Sequence, residues 1–207
     1  LCVPRLEVDV AAAGRLKYLG VNMLGSSTWH LAHQQAFGAR DSNTLLATVA
    51  LGGDYARVRT EARVTGQGAS TRQIALYYAD AHQMHDFRTL QDHAAPKTHS
   101  DLLFKGAVQD HAKSVYTGLI KIRHDAKGSQ AFQTNRNLTL SSGAWAESVP
   151  NLDIETNDVA NPVVIACPEQ LAVAPQRQLN KQPATGTEGS PYPTASDPHF
   201  VDWADYG

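Results

Sequence analysis

What most limits the fold of this chain is a two-residue alternation of apolar and charged side chains, with no long, capped amphipathic helix anywhere between. Leu6, Val8 and Val10 alternate with Arg5, Glu7 and Asp9, and Val58, Ala62 and Val64 alternate with Arg57, Arg59, Glu61 and Arg63. Successive side chains leave a strand on opposite faces, so this period builds strands with one apolar face. Further short strand candidates lie at 16–23, 44–51, 74–79, 102–108, 115–122, 136–140 and 152–156, most of them rich in Val, Ile, Leu, Thr or Tyr. Gly52-Gly53-Asp54, Gly66-Gln67-Gly68 and Lys127-Gly128-Ser129 mark turns, because glycine reaches positive φ at no steric cost. Residues 29–40 fit helix or strand. The body is expected to be all-β, and many short strands without helices allow a sandwich, a barrel or a parallel β-helix. Blocks anchored near Leu103, Leu119, Leu138 and Leu152 recur every 14–19 positions, which suits solenoid rungs.

Composition changes after Val159. The last 48 residues hold seven of the ten prolines and carry a net charge of −3, which leaves about +1 on the first 159. Proline blocks helix interiors and central strands, so 160–207 are expected to form an irregular, disordered or loosely attached tail on a folded body of 1–159. Over the whole chain, 18 Lys+Arg against 20 Asp+Glu give −2. That balance speaks against nucleic acid or an anionic membrane as partner, since either calls for a basic excess. No apolar run reaches the roughly 18–20 residues of a membrane-spanning helix. The chain opens at Leu1 without a charged-then-apolar leader, and Cys2 and Cys167 are too few for a disulfide framework. A reducing, cytoplasmic setting is the expectation.

Six of the nine histidines fall between His82 and His124. His82, His85 and His93, with Asp86 among them, are ligand types that zinc and iron sites use, and they are the metal candidates of this chain. On a strand, however, positions i and i+3 point to opposite faces, and no Glu follows His82 as it does in zinc proteases. Surface or hydrogen-bonding roles therefore outweigh a metal site. The two cysteines, 165 positions apart, cannot hold a four-thiolate cluster; Cys2 fits a small buried apolar residue and Cys167 a free thiol. Gly66-Gln67-Gly68-Ala69-Ser70 lacks the setting of a dinucleotide loop, and no nucleophile elbow or P-loop occurs. Arg57, Arg59 and Arg63 fit a solvated strand face that Glu61 partly neutralises. Nothing assembles a nucleophile, a base and an oxyanion site, so a non-enzymatic role is expected, with a histidine-metal β-helix enzyme ranked well below.

Read in order, five stretches carry a family resemblance: 82–93 (HQMHDFRTLQDH), 98–106 (THSDLLFKG), 114–120 (SVYTGLI), 131–138 (AFQTNRNL) and 148–159 (SVPNLDIETNDV). With Leu6–Val10, Trp29–Leu31 and Leu51–Tyr55, they resemble the core of the SufB/SufD family of iron–sulfur cluster assembly proteins, SufD most closely, over essentially all of 1–159. The resemblance implies a right-handed parallel β-helix that pairs as a heterodimer with a SufB-like subunit and acts with a SufC-like ATPase. It implies a scaffold that holds no cofactor stably by itself, with iron or an Fe–S cluster passing through the complex transiently. The implied pairing surface lies on the last strands, around Leu138, Leu140, Leu152 and Ile154. After Asn157-Asp158-Val159 the family carries a Cys-x-His element, and its helical C-terminal domain engages the ATPase. Here Ala160-Asn161-Pro162-Val163 follow instead, and 164–207 do not resemble that domain. A truncated, non-functional remnant, prone to aggregate, is the alternative reading.

Overall fold

The computed structural model describes residues 1–156, 164–166 and 171–172. Its elements are β1 (Arg5–Val10), β2 (Arg15–Asn22), β3 (Trp29–Gly38), β4 (Asn43–Ala50), β5 (Tyr55–Val64), β6 (Ser70–Ala79), β7 (Met84–His93), β8 (His99–Val108), β9 (Lys113–Ile122), β10 (Gln130–Thr139), β11 (Trp145–Ile154), β12 (Val164–Ala166) and β13 (Leu171–Ala172). None of the described elements is a helix. Odd-numbered strands form one sheet in the order β1-β3-β5-β7-β9-β11, and even-numbered strands form the other, β2-β4-β6-β8-β10-β12, with β13 also on β10. Every pairing is parallel. The chain therefore winds as a β-solenoid with two strands per coil, and each strand pairs with the strand one coil away. The 14–19-residue spacing seen in the sequence is half a coil.

Each coil turns its corners through residues in the left-handed region. Ala13, Asp41, Gly68, Lys97 and Gly128 occupy equivalent corners after β1, β3, β5, β7 and β9, with φ between 56° and 73°. Their amides ladder to the next coil: Ala13 N–H donates to the Arg40 carbonyl (2.8 Å), Asp41 to Gln67 (3.0 Å), Gly68 to Pro96 (3.3 Å) and Lys97 to Lys127 (2.8 Å). Glycine takes this conformation freely, whereas a side chain costs about 1 kcal/mol or more there. All three glycine turns expected from sequence sit at corners, with Gly53, Gly68 and Gly128 at positive φ.

Inside the coils, side chains stack in columns set by register. Ala32, Val58, Phe87 and Tyr116 form one such column. Tyr77, Phe87, Phe104 and Tyr116 pack ring on ring, at centroid distances of 4.5, 5.7 and 5.4 Å in turn. Burying each ring contributes about 1.5–3 kcal/mol. Much of the interior is nonetheless polar: Gln34, Thr48, Thr60, Gln73, Thr89, Gln91, Gln133, Asn135 and Asn137 are all buried.

That polar interior is why several strands run longer than their apolar signal. β6 starts at Ser70 rather than 74, β10 at Gln130 rather than 136, and β11 at Trp145 rather than 152. Their early inward positions are Thr71 and Gln73, Gln133 and Asn135, and Ala146 and Ser148, which carry no hydrophobic period. Residues 29–38 resolve as strand, with His30, Ala32, Gln34 and Ala36 turned inward and buried. β12 and β13 carry the pairing past residue 159, through Phe132–Thr134 and Leu138–Thr139 of β10. The rest of 160–207, read as a tail, lies outside the described residues, as does Cys167.

Candidate functional site

Among the described residues β11 ends its sheet: it pairs with β9 on one side and is the last described strand in the order. In a parallel strand, the N–H and C=O of alternate residues point to opposite neighbours. The Trp145 and Glu155 amides donate to Ala112 and Ile122 on the β9 side, so odd-numbered residues face β9 and even-numbered ones face the outer edge. Ser148, Leu152 and Ile154 thus turn main-chain groups outward, while Pro150 among them has no donor to offer. Proline is tolerated at this place because its missing donor costs the β9 ladder no bond.

The side chains at this end are apolar and uncovered. Leu152 and Ile154 occupy inward columns, below Ile120 and Ile122, yet they are 45% and 39% exposed because they belong to the last described coil of their sheet. Lys121 flanks them, bridging Asp153 (3.1 Å) and Glu155 (3.0 Å), and these partners hold its ammonium above the usual lysine range. Leu138 and Leu140 lie on the other sheet. Leu138 is half-buried on the outer face of β10 and pairs with Leu171 of β13, and Leu140 follows β10 with its amide on the Val108 carbonyl (2.8 Å). The structure brings Leu152 and Ile154 together and puts Leu138 and Leu140 on a different strand, β10 and its end.

The histidine candidates do not converge. His82 sits in the exposed corner before β7 and stacks on His111 of the next coil, centroids 5.3 Å apart. His85 and His93 both point inward from β7, eight residues apart, which is about 26 Å along a strand. His85 is buried beside Tyr77 and Phe87, and burial pushes it down to about 4. His93 is bonded through Nδ1 to Thr98 Oγ1 (2.7 Å) and through Nε2 to Ser100 Oγ (2.8 Å), and burial pushes it, too, down to about 4. Neutral imidazoles held this way act as packing and hydrogen-bonding groups. Among the described residues, no group of three or more His, Cys, Asp or Glu is placed to hold a metal ion.

Two features were not legible beforehand. The arginine face of β5 is an ion-pair array rather than a solvated surface. Asp86 is buried between Arg57 (2.8 Å) and Arg88 (2.8 Å); Glu61 is buried against Arg59 (2.5 Å), Arg63 (3.2 Å) and His33 (3.3 Å). Asp92 receives two bonds from Arg123, both 2.8 Å. Arg57–Asp86, His33–Glu61 and Arg123–Asp92 join neighbouring coils and needed a coil-length register to find, whereas Arg59 and Arg63 meet Glu61, and Arg88 meets Asp86, two residues away on the same strand. Asn137, a formal glycosylation acceptor, is buried and bonded to Tyr77, Asn135 and Ser148, so its amide is unavailable for modification. At the other end, Cys2 is half-buried and free, and it lines a cavity of about 320 Å³ with Tyr18, Asn22, His30 and Gln34.

The profile of the family described as SUF system FeS cluster assembly, SufBD core domain, matches residues 1–161. The chain is 37% identical over 161 residues to the iron-sulfur cluster assembly SufBD family protein of Mycobacterium leprae, covering 74% of this chain and 41% of that protein. It is 38% identical to the corresponding Mycobacterium tuberculosis protein over the same shares. With the iron-sulfur cluster assembly protein SufD of Escherichia coli it shares 27% over 155 residues, 75% of this chain and 37% of SufD. The chain thus spans about two fifths of the length of the relatives it matches. With the family profile spanning 161 of its 207 residues, this chain belongs to the SufBD family of the SUF iron–sulfur cluster assembly system.

Proposed function

We propose that the chain is a SufD-like scaffold subunit, not an enzyme, that pairs with a SufB-like subunit through the edge of β11. The observation that carries this reading is that edge itself: outward main-chain groups at Ser148, Leu152 and Ile154 beside uncovered Leu152 and Ile154. A strand edge with an apolar flank is what strand addition uses, main-chain bonds supplying affinity and side chains specificity. Leu138 and Leu140, on the neighbouring sheet, extend the contact on the same reading. Iron or a nascent cluster is the cargo of the assembled complex, and this chain alone holds none stably. A SufC-like ATPase joins through the partner, and the setting is cytoplasmic. No helix among the described residues is long and apolar enough to cross a membrane.

Co-expression with SufB-like and SufC-like subunits of one organism, followed by native mass spectrometry, tests this. A complex containing one SufB-like subunit is expected. Leu152→Pro removes an outward donor and an uncovered side chain without breaking the β9 ladder, so it should weaken that complex by about tenfold while the isolated chain keeps its circular dichroism spectrum. Recovery of this chain only as monomer or aggregate would favour the remnant reading.

A further inference from the structure

The outer face of the even-numbered sheet is apolar where a solvated sheet face is polar. Leu19, Val21 and Leu76 are 61%, 55% and 56% exposed, and Met23 and Leu51 are exposed as well. Register joins them into one surface. Leu19 pairs with Ala47, Ala47 with Ile74 and Ile74 with Leu103; Val21 pairs with Val49, and Val49 with Leu76. The patch crosses four strands, about 14 Å at ~4.8 Å per strand, and runs about 13 Å along them. The exposed apolar side chains are contiguous rather than scattered singly, as a contact site requires.

Its border is cationic. Arg15 and Lys17 extend it on β2, Arg72 bounds it on β6, and Lys105 and Arg136 bound it on β8 and β10, all exposed. Among the outward positions of β2, β4, β6, β8 and β10, Asp101 is the one carboxylate, and it is engaged by Arg72 at 3.1 Å. A second copy of the chain would set this border against itself, cation facing cation. A flat face offers no edge for strand addition. Parallel sheets are covered on their faces by helices, and a helix of about 12 residues, ~18 Å long and ~10 Å wide, matches the patch.

We propose that this face docks an amphipathic α-helix of a partner, with an apolar stripe on Leu19, Val21 and Leu76 and flanking carboxylates against Lys17, Lys105 and Arg136. The patch of Leu19, Val21 and Leu76 lies on the opposite sheet from the β11 edge, although Arg136 stands two residues from Leu138 on the same face of β10. The test therefore uses this chain without a SufB-like subunit, so its outcome is separate from that of the pairing experiment.

The test uses the full chain and two fluorescein-labelled helical peptides with one Leu/Ile stripe, flanked by Glu in one and by Lys in the other. Anisotropy titration is expected to show saturable binding of the Glu-flanked peptide and at least about tenfold weaker binding of the Lys-flanked one. Leu19→Glu with Leu76→Glu should weaken binding about tenfold or more with an unchanged circular dichroism spectrum, since both side chains are exposed. Lys105→Glu with Arg136→Glu should reverse the preference between the peptides. Absence of saturable binding, equal affinity for both peptides, or indifference to both variants overturns the proposal. So does a concentration-dependent dimer that Leu76→Glu abolishes, which would make a second copy the occupant. Binding to phosphatidylserine vesicles in preference to either peptide overturns it in favour of a membrane surface.

Discussion

Tyr77 lies over the bare backbone of Gly106, its partner in register one coil on: a β-carbon built at Gly106 would fall 1.8 Å from the Tyr77 ring. The ring cannot retreat freely, because its hydroxyl is bonded to Asn137 and its face packs on Phe87. Gly106→Ala should therefore cost on the order of 3 kcal/mol through overpacking. Equilibrium urea unfolding of Gly106→Ala, Tyr77→Leu and the double variant checks it, with the double variant expected to lose less than the sum. Additive losses would show that the two residues do not share the space.

The corners give a prediction of opposite sign at neighbouring sites. Lys97 and Ala81 hold φ of 56° and 52° with side chains attached. Lys97→Gly and Ala81→Gly should each stabilise by about 0.5 kcal/mol, strain relief outweighing the looser unfolded chain. Gly68→Ala should destabilise by about 1–2 kcal/mol, since it adds that strain. Its new methyl would also fall 2.4 Å from Asp41 Oδ1. Thermal melts of the three variants side by side read both signs.

Acid should loosen the interior. Burial holds His85 and His93 at about 4 in the folded chain, against 6.5 for the unperturbed side chain. Both are neutral when folded, so below pH 6.5 the unfolded chain takes up protons that the folded chain refuses. Their contribution is intact above about pH 6.5 and is lost progressively toward pH 4, by up to about 3 kcal/mol for each histidine. Urea midpoints measured down this range should fall, and His85→Leu should flatten the fall. A midpoint that stays level from about pH 6.5 to 4.5 would contradict the assignment.

Charge position should matter more than charge count. Asp86→Ala leaves Arg57 and Arg88 without the buried carboxylate they share and should cost about 3–5 kcal/mol. Arg5→Ala, which breaks the exposed pair with Glu7, should change stability by less than about 1 kcal/mol. The comparison is one pair of denaturation curves.

How far the sequence could be read follows from these same residues. Strands at Leu6–Val10 and Val58–Val64 were legible because one face is apolar and the other charged, and the glycine corners because positive φ selects glycine. Strand starts at Ser70, Gln130 and Trp145 were hidden because a solenoid interior accepts Thr, Gln and Asn that bond across columns, as Gln91 does to Ser100 Oγ (2.8 Å). The histidines were legible as residues but not as positions: no strand was expected over Met84–His93, because its inward positions include His85, Thr89, Gln91 and His93 and carry no apolar period. The Arg57–Asp86 and Arg123–Asp92 pairs and the apolar face around Leu19 and Leu76 exist only across coils. They required the register, which neighbouring residues do not encode.

That register has a consequence for how chains of this kind change length. Trp29 pairs with Tyr55, 26 residues on, whereas Lys113 pairs with Trp145, 32 residues on, yet the strands involved are all ten residues long. The corners absorb four of those six residues, and the other two separate the intervening strands, β4 with eight residues and β10 with ten. One residue added at a corner changes a loop, while one residue added inside a strand turns every side chain up to the next corner inside out. Length in this architecture is elastic at two seams running along the coil axis, and between them it changes here by a pair of residues, which keeps every side chain on its own face.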